Sequence, residues 1–392
     1  MPDLQAAPWQ PCYSAPASPA PFSKANQHGT SAHKGALDLH DNTGLAALRK
    51  AGLYDDFLKH ARFDGEAIAI GDKYLRYYAK AGGGKPGKPS PGRPEMDRTK
   101  LRELLVDALP EGCIKWHHRL RRATAEEEGG TLHFDSGTQS GFDLIIRADG
   151  AWSKVRPLVH DVRPYHAGLS FLLGDGSINV VTHMPRRKDW LKEASFDVHD
   201  EAQTKTALLK EYADWAPELK NTLEVAEGEP WSHNLYMLPI GHRWENKPGV
   251  TLIGDSAHLM TPFAGRLSHL FNAAKSLVDV ALGEGVNVAM TDSSRLADAI
   301  IKARDIGPIE ALHENVRAFE QDMFARATET QQLTYDLMNM MFFTPDAPDS
   351  VIAAYFSRFI SDAPGLRYFM PIINVLVYAY FWWFQWWYPV NR

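Results

Sequence analysis

The chain has 392 residues, of which 44% are hydrophobic and 23% are charged, as in an ordinary globular protein. A chain of this length can bury a large core and is expected to form two domains or one elaborate one. The formal net charge of -6 argues against nucleic-acid binding, which requires a basic face. Two cysteines, Cys12 and Cys113, cannot form a disulfide framework, so a reducing, cytoplasmic location is the default expectation.

The first thirty residues are rich in proline, alanine and serine and follow neither a helical nor a strand period. We therefore expect residues 1–30 to be largely disordered. No basic segment precedes an apolar run there, so a secretory signal is not expected. Folded patterns begin with a predicted helix over 43–52 and continue with an amphipathic helix over 96–109. The second helix carries its leucines on one stripe, namely Leu101, Leu104, Leu105 and Leu109.

Two predicted strands each end in an acidic turn. The run FDLIIRADG ends at Asp149 and Gly150, and the run VTLIGDSAH turns at Gly254 and Asp255. A continuous apolar run is typical of a strand covered on both faces, and ligands of open α/β sheets lie at the carboxyl ends of the strands. An ionised carboxylate suits the hydroxyls of a ribose or ribityl chain because it accepts hydrogen bonds without donating. Taken alone, Gly254-Asp255 is more often a helix cap or a plain turn.

Five ordered segments resemble the flavoprotein hydroxylases, the FAD-dependent aromatic-ring monooxygenases, and most of all the tetracycline-degrading enzymes and their fungal relatives. The segments are GALDLHDNTG, DRTKLRELL, ADGAWSKVRPLV, IGDSAHLMTPFAG and AFEQDMFAR. The resemblance implies an α/β fold, in part α+β, with an incomplete Rossmann-like FAD-binding domain over 31–160 and 240–325. A reduced substrate-binding region would occupy 161–239, and C-terminal helices with an apolar aromatic tail would occupy 326–392.

The resemblance also implies contacts to the cofactor. Asp255, next to Gly254, would hydrogen-bond the ribityl chain of FAD. Asp38 would contact the cofactor, and Arg98 would reach flavin or ribityl oxygens. Judged without the family, Asp38 is more simply a turn cap and Arg98 a surface ion pair.

Further implied contacts lie at the other turn and at the flavin ring. Asp149 and Gly150 would lie near the nicotinamide-nucleotide and pyrophosphate region, with Arg156 bracing the turn. Pro262 and Gly265 would border the isoalloxazine ring. A helix that begins after the PFAG segment would direct its N-terminal amides at the flavin, where negative charge develops on reduction.

The reaction that the resemblance implies is the chemistry of the flavin. NADPH would reduce FAD, and one oxygen atom would pass from molecular oxygen to a small organic molecule, aromatic or polyketide-like. No catalytic side chain and no metal ligand is assigned from the sequence. Two alternatives stay open, namely a non-catalytic, membrane-associated remnant that does not bind FAD and a flavin reductase or dehydrogenase on the same scaffold.

Three departures from the family pattern predict impaired activity. Residues 1–34 contain no G-x-G-x-x-G turn, which in the family places the pyrophosphate on a helix N-terminus. Residues 266–283 interrupt the sequence that would otherwise read PFAGEGVNVAM, and we interpret them as a retained intron. The segment that builds substrate-facing strands after Val159 is shortened.

The C-terminal segment from Tyr368 to Asn391 carries no formal charge and is bounded by Arg367 and Arg392. It is long enough to cross a bilayer as a helix, and its aromatic residues crowd toward one end, as at a membrane interface. A helix lying in that interface and a helix docked on its own domain are the alternatives. We expect a cytoplasmic protein that associates with a membrane through this tail.

Overall fold

The computed structural model describes residues 36–63, 68–81, 94–116, 118–125, 130–174, 179–263, 284–361 and 367–387. The predictions for residues 1–30, for Gly265 and for residues 266–283 lie outside these ranges. Strands and helices alternate along the chain, so the expected α/β class is confirmed. The domain limits near residues 160 and 240 stay a prediction.

The described strands are short apart from those of one antiparallel sheet. They are β1 (Ala36–Asp38), β2 (Ile68–Gly71), β3 (Tyr77–Ala81), β4 (Glu95–Asp97), β5 (Leu120–Ala125), β6 (Gly130–Phe134), β7 (Gly137–Gln139), β8 (Ile145–Arg147), β9 (Tyr165–Gly174), β10 (Asn179–Met184), β11 (Trp231–Met237) and β12 (Val250–Leu252).

The described helices include two long ones near the C-terminus. The helices are α1 (Gly44–Lys50), α2 (Tyr54–Leu58), α3 (Arg98–Asp107), α4 (Arg156–Val159), α5 (Trp190–Glu193), α6 (Glu201–Glu211), α7 (Pro217–Val225), α8 (Asp255–His258), α9 (Glu284–Ile306), α10 (Ile309–Met338), α11 (Ile352–Ser361) and α12 (Met370–Trp387). A π-helical turn over Asn339–Phe343 extends α10.

The two apolar runs that end in acidic turns form a parallel pair. Strand β8 pairs with β12 in a register that places Ile145 beside Val250 and Arg147 beside Leu252. Their buried side chains join a core that α9 and α10 cover through residues such as Leu296. Because parallel strands in register end at the same edge, both turns emerge side by side.

A second layer is the antiparallel sheet β10-β9-β11. Phe171 of β9 is fully buried against one face of this layer, where Leu208 of α6 and Leu223 of α7 complete a cluster. The opposite face of the sheet carries Ser170, which pairs with residues of both neighbouring strands. Side chains alternate across a strand, so this sheet presents two chemically different faces.

The predicted leucine stripe of α3 is only partly correct. Leu101 is buried and Leu104 packs against the same cluster, but Leu105 and Leu109 are exposed. The helix ends at Asp107, so Leu109 lies beyond it. Helix α3 packs against the core on one side only. Leu101 and Leu104, three positions apart, face that side, whereas Leu105 and Leu109 do not.

The C-terminal helix α12 docks on the domain through one face. Phe384 stacks near Tyr78 with ring centroids 5.5 Å apart, and Phe381 lies 5.2 Å from Phe356. None of the described helices is long and apolar enough to cross a membrane. The docked helix among our alternatives is the one observed.

The outer face of α12 is apolar and exposed. Its members are Ile372, Val375, Leu376, Trp382, Trp383, Trp386 and Trp387. These positions lie on one side of the helix, opposite Phe381 and Phe384, as the 3.6-residue period requires.

Truncation of the docked face will destabilise the protein more than truncation of the outer face. We expect Phe384→Ala to lower the free energy of unfolding by about 3–5 kcal/mol, because it opens a cavity against Tyr78. The matched variant Trp382→Ala removes a side chain that is 71% exposed and should change it by less than about 0.5 kcal/mol. Urea unfolding followed by circular dichroism measures both, and equal losses would contradict the docking.

Candidate functional site

The side chain of Arg156 joins the two acidic turns. Its Nε donates to the carbonyl oxygen of Ser256 at 2.7 Å, and its Nη2 donates to that of Asp255 at 3.2 Å. On the other turn, Nη1 donates to the carbonyl of Ala151 at 2.9 Å and Nη2 to that of Gly150 at 3.4 Å. The guanidinium is buried, and its rigid fork of donors suits four carbonyls in fixed positions.

Asp149 braces its own turn and the neighbouring one. Its Oδ1 accepts from Ser256 Oγ at 3.2 Å, and its Oδ2 accepts from the Lys154 amide at 2.9 Å and pairs with Arg147. Burial alone would raise the pKa of Asp149, but the hydrogen bond and charge of Arg147 hold it below its ordinary value. Both carboxylate oxygens are thus engaged by the protein. The residues that engage them, Arg147 and Ser256, were not identified from the sequence.

Gly254 occupies a backbone conformation and a space that favour glycine. Its φ is +58°, and a Cβ there would lie 3.2 Å from the Cβ of Ala289 on α9. Its amide donates to Asp292 Oδ2 at 3.1 Å, and His258 Nε2 lies 2.6 Å from the same oxygen. Arg326 Nη1 donates to the other oxygen of the fully buried Asp292 at 3.2 Å. One carboxylate of α9 therefore fixes the turn that presents Asp255.

Asp255 is exposed as a residue, although many protein atoms surround its carboxylate. This desolvation raises the pKa of Asp255, whereas the charges of His258, Arg98 and Arg156 lower it. Within the described ranges, no hydrogen-bond donor meets the Asp255 carboxylate.

Arg98 is the first residue of α3 and is exposed. It acts on Asp255 electrostatically, so the two side chains face the same region. Among the described residues Arg98 forms no ion pair.

Asn287 of α9 hydrogen-bonds the loop after Asp38 and so holds this loop against α9. Its Oδ1 accepts from the His40 amide at 2.9 Å, from Thr43 Oγ1 at 3.1 Å and from the Gly44 amide at 3.2 Å. Its Nδ2 donates to the Asp38 carbonyl at 2.8 Å. Asn287 is fully buried, and the sequence reasoning did not single it out. In the strand pair β1–β4, Asp38 pairs with Glu95, and Ala36 pairs with Asp97 at the start of α3.

The AFEQDMFAR segment supports β12 from behind. Glu320 is fully buried and accepts from Trp244 Nε1 at 3.0 Å, from Thr251 Oγ1 at 2.8 Å and from Asn246 Nδ2 at 2.8 Å. Burial raises the pKa of Glu320, and the three donors oppose that rise. This network fixes the strand that leads into Gly254-Asp255.

The segment after α8 leads toward the antiparallel sheet. Pro262 is exposed, whereas Phe263 is buried and its amide donates to Thr334 Oγ1 at 3.2 Å. Gly265 lies outside the described residues. Thus the structure brings the Asp38 loop, Arg98 and both acidic turns to one region, and Pro262 lies on the segment that leaves it.

Comparison with known proteins gives relatives of one kind. No family model matches the chain. The monooxygenase penA of Penicillium thymicola is 25% identical, over 77% of this chain and 83% of its own length. Among solved structures, Klebsiella pneumoniae HpxO complexed with FAD and uric acid has a TM-score of 0.61 at 16% identity, over 89% of this chain and 88% of that one. The tetracycline destructase Tet(51) has a TM-score of 0.54 at 14% identity, over 88% of this chain and 89% of that one. At such identities these two structures show the fold alone.

The four carbonyl contacts of Arg156 predict that lysine cannot replace it. We expect Arg156→Lys to lower the free energy of unfolding by at least about 2 kcal/mol, because several charge-assisted hydrogen bonds are lost from a buried site. The control Arg187→Lys alters a side chain that is 80% exposed and should be near neutral. Denaturant unfolding compares the two, and a stable Arg156→Lys protein would show that the turns do not depend on the fork.

Proposed function

We propose that this chain, which belongs to the FAD-dependent monooxygenase family, binds the ribityl and isoalloxazine end of FAD at the two acidic turns and hydroxylates a small organic molecule. The observation that carries the proposal is the exposed Asp255, which stands on a turn held by Arg156 and Asp292 and whose carboxylate is affected by the charge of Arg98. NADPH as the electron donor belongs to the same proposal.

The residues present fit one end of the cofactor. Asp255 offers acceptors for ribityl hydroxyls, and Arg98 offers donors for flavin or phosphate oxygens. Gly150 adopts a φ of +79° and has open space where a Cβ would lie, so its backbone permits close approach. The pyrophosphate end has no G-x-G-x-x-G turn in residues 1–34. We therefore propose that FAD binds more weakly here than it would to a chain with that turn.

The chain contributes binding and shape. When bound, FAD supplies the redox chemistry that uses molecular oxygen to hydroxylate the substrate. Asp255 would hold the ribityl arm, and Arg156 keeps in place the turn that carries Asp255. Asp149, whose oxygens are engaged within the protein, positions Ser256 and Gly150. Phe263 closes the side toward the antiparallel sheet and excludes water there.

A non-catalytic remnant is the second candidate, and the missing glycine turn favours it. Such a protein would keep the braced turns for stability and would not take up flavin. A flavin reductase on the same scaffold would take up FAD but would not hydroxylate. The colour of the purified protein and its oxygen consumption separate the three.

Asp255→Asn will weaken FAD binding about 10-fold or more, because a neutral amide replaces a carboxylate that accepts charge-assisted hydrogen bonds. Quenching of flavin fluorescence on titration with the protein measures the affinity, and anaerobic NADPH should bleach the bound flavin of the unmutated protein. Asp161→Asn changes an exposed aspartate away from the site and should leave the affinity unaltered. A chain that never takes up FAD, or an Asp255→Asn protein of undiminished affinity, would refute the proposal.

The outer face of α12 supports a proposal on location, namely contact with a membrane interface without spanning. Tryptophan prefers that interface, and Trp382 and Trp386 are 71% and 68% exposed. We expect the unmutated protein to float with phosphatidylcholine vesicles in a density gradient and the double variant Trp382→Ala/Trp386→Ala to float less. Leu105→Ala/Leu109→Ala removes exposed apolar side chains elsewhere and should float normally. No flotation of the unmutated protein would remove the proposal.

A further inference from the structure

Strand β10 forms one edge of the antiparallel sheet. Among the described strands the order is β10-β9-β11, so β10 has a neighbouring strand on one side only. It pairs with β9 over six residues, from Asn179 to Met184. An edge strand of this kind presents a row of main-chain N–H and C=O groups with which another strand can pair.

The edge of β10 lacks the features that usually prevent such pairing. Its sequence, NVVTHM, contains no lysine, acidic residue or proline, and its register with β9 shows no bulge. The other described edge strands of four residues or more differ from it, because β2, β5 and β11 each carry a register shift and β3 carries a lysine. Within the part of the chain that the structure describes, β10 is therefore the edge most open to a further strand.

The rest of the protein holds β10 in place before any partner arrives. Val180 and Met184 belong to the cluster that α6 and α7 form on one face of the sheet. On the opposite face, Val181 is 48% exposed and pairs with Leu172 of β9, which in turn pairs with Trp231 of β11. Cross-strand partners lie on the same face, so these three side chains form an apolar row that ends at the open edge.

The sequence of β10 is compatible with a second copy of the same strand. When a strand pairs antiparallel with its own copy about a two-fold axis, the same surface meets itself. An axis at Val181 sets the two copies of this valine opposite each other and sets Val180 opposite the partner's Thr182. Like charges that face each other would oppose association, and β10 contains none.

The same axis brings two unsatisfied polar side chains together. Asn179 comes to lie opposite the partner's His183, and in the free chain Asn179 Oδ1 and His183 Nδ1 each meet no hydrogen-bond partner among the described residues. Burial lowers the pKa of His183 to about 4, so at neutral pH the ring is neutral and one of its nitrogens donates. Neither atom gives up a hydrogen bond when it turns toward the other copy.

We propose that two copies of this chain associate edge to edge through antiparallel pairing of β10, about a two-fold axis at Val181. The two three-stranded sheets then form one six-stranded sheet, joined by about four to six main-chain hydrogen bonds. A contact of this length buries less than the roughly 1,600 Å² of a standard interface, so the dimer is reversible, with a dissociation constant on the order of micromolar. This association does not depend on the uptake of FAD.

Sedimentation equilibrium of the full chain tests the association. We expect the mass of the unmutated protein to rise from that of one chain toward that of two between about 1 and 100 μM. Val181→Lys places two ammonium groups together at the axis and should weaken the association about 10-fold or more. The matched control Val225→Lys makes the same change at a side chain that is 65% exposed at the end of α7, and it should dimerise as the unmutated protein does.

A charge swap at the axis distinguishes pairing through β10 from other self-association. An equimolar mixture of Val181→Lys and Val181→Glu chains should dimerise, because opposite charges then meet. The inference would be overturned by an unmutated chain that stays monomeric at about 100 μM, by undiminished dimerisation of Val181→Lys, by an equal loss in Val225→Lys, or by a mixture that stays monomeric.

Cysteine cross-linking tests the register. In a Cys12→Ser/Cys113→Ser background, Val181→Cys should give a disulfide-linked dimer on mild oxidation, because directly opposite Cα atoms lie about 4.5–5.5 Å apart. Asn179→Cys in the same background should not, since an offset of four residues separates the two copies of position 179 by about 14 Å. Cross-linking of Asn179→Cys as strong as that of Val181→Cys, or none of Val181→Cys, would overturn the axis.

Discussion

The buried guanidinium of Arg156 is the interaction on which the rest of the site depends. It hydrogen-bonds the main-chain carbonyls of Gly150 and Ala151 on one acidic turn and of Asp255 and Ser256 on the other. A buried cation of this kind is stable only when its donors are satisfied, and four carbonyls together with the neighbouring charges of Asp149 and Asp255 achieve this. The parallel strands β8 and β12 deliver the two turns to one edge, and Arg156 sets their separation. The backbone of the turn that carries Asp255 is therefore fixed by the protein itself.

Helix α9 provides the second constraint. Its Asn287 hydrogen-bonds the loop after Asp38, and its Asp292 hydrogen-bonds Gly254. Two segments that are distant in the sequence are therefore bound to the same helix. This helix follows residues 266–283, the segment that we interpret as a retained intron. The bonds of Asn287 and Asp292 are formed nevertheless.

Much of the frame could be predicted from the sequence, because apolar runs that end in Gly or Asp turns are local signals. The α/β class follows from them, and so does the neighbourhood of Asp149 and Asp255. The rest depends on tertiary packing. The exposure of Leu105, the docking of α12 through Phe384 and the role of Asp149 as a brace are set by which surfaces meet. The face of the antiparallel sheet on which His183 of β10 lies could not be predicted either, because it depends on the register of three strands.

Above all, we propose that the two turns joined by Arg156 bind the flavin of FAD. A crystal structure of the chain grown with FAD tests it most directly. The account predicts electron density for the flavin beside the two turns, with an oxygen of Asp255 within hydrogen-bond distance of a ribityl hydroxyl and Arg156 still bound to both turns. Flavin density elsewhere on the molecule, or an Asp255 carboxylate turned away from the cofactor, would contradict it.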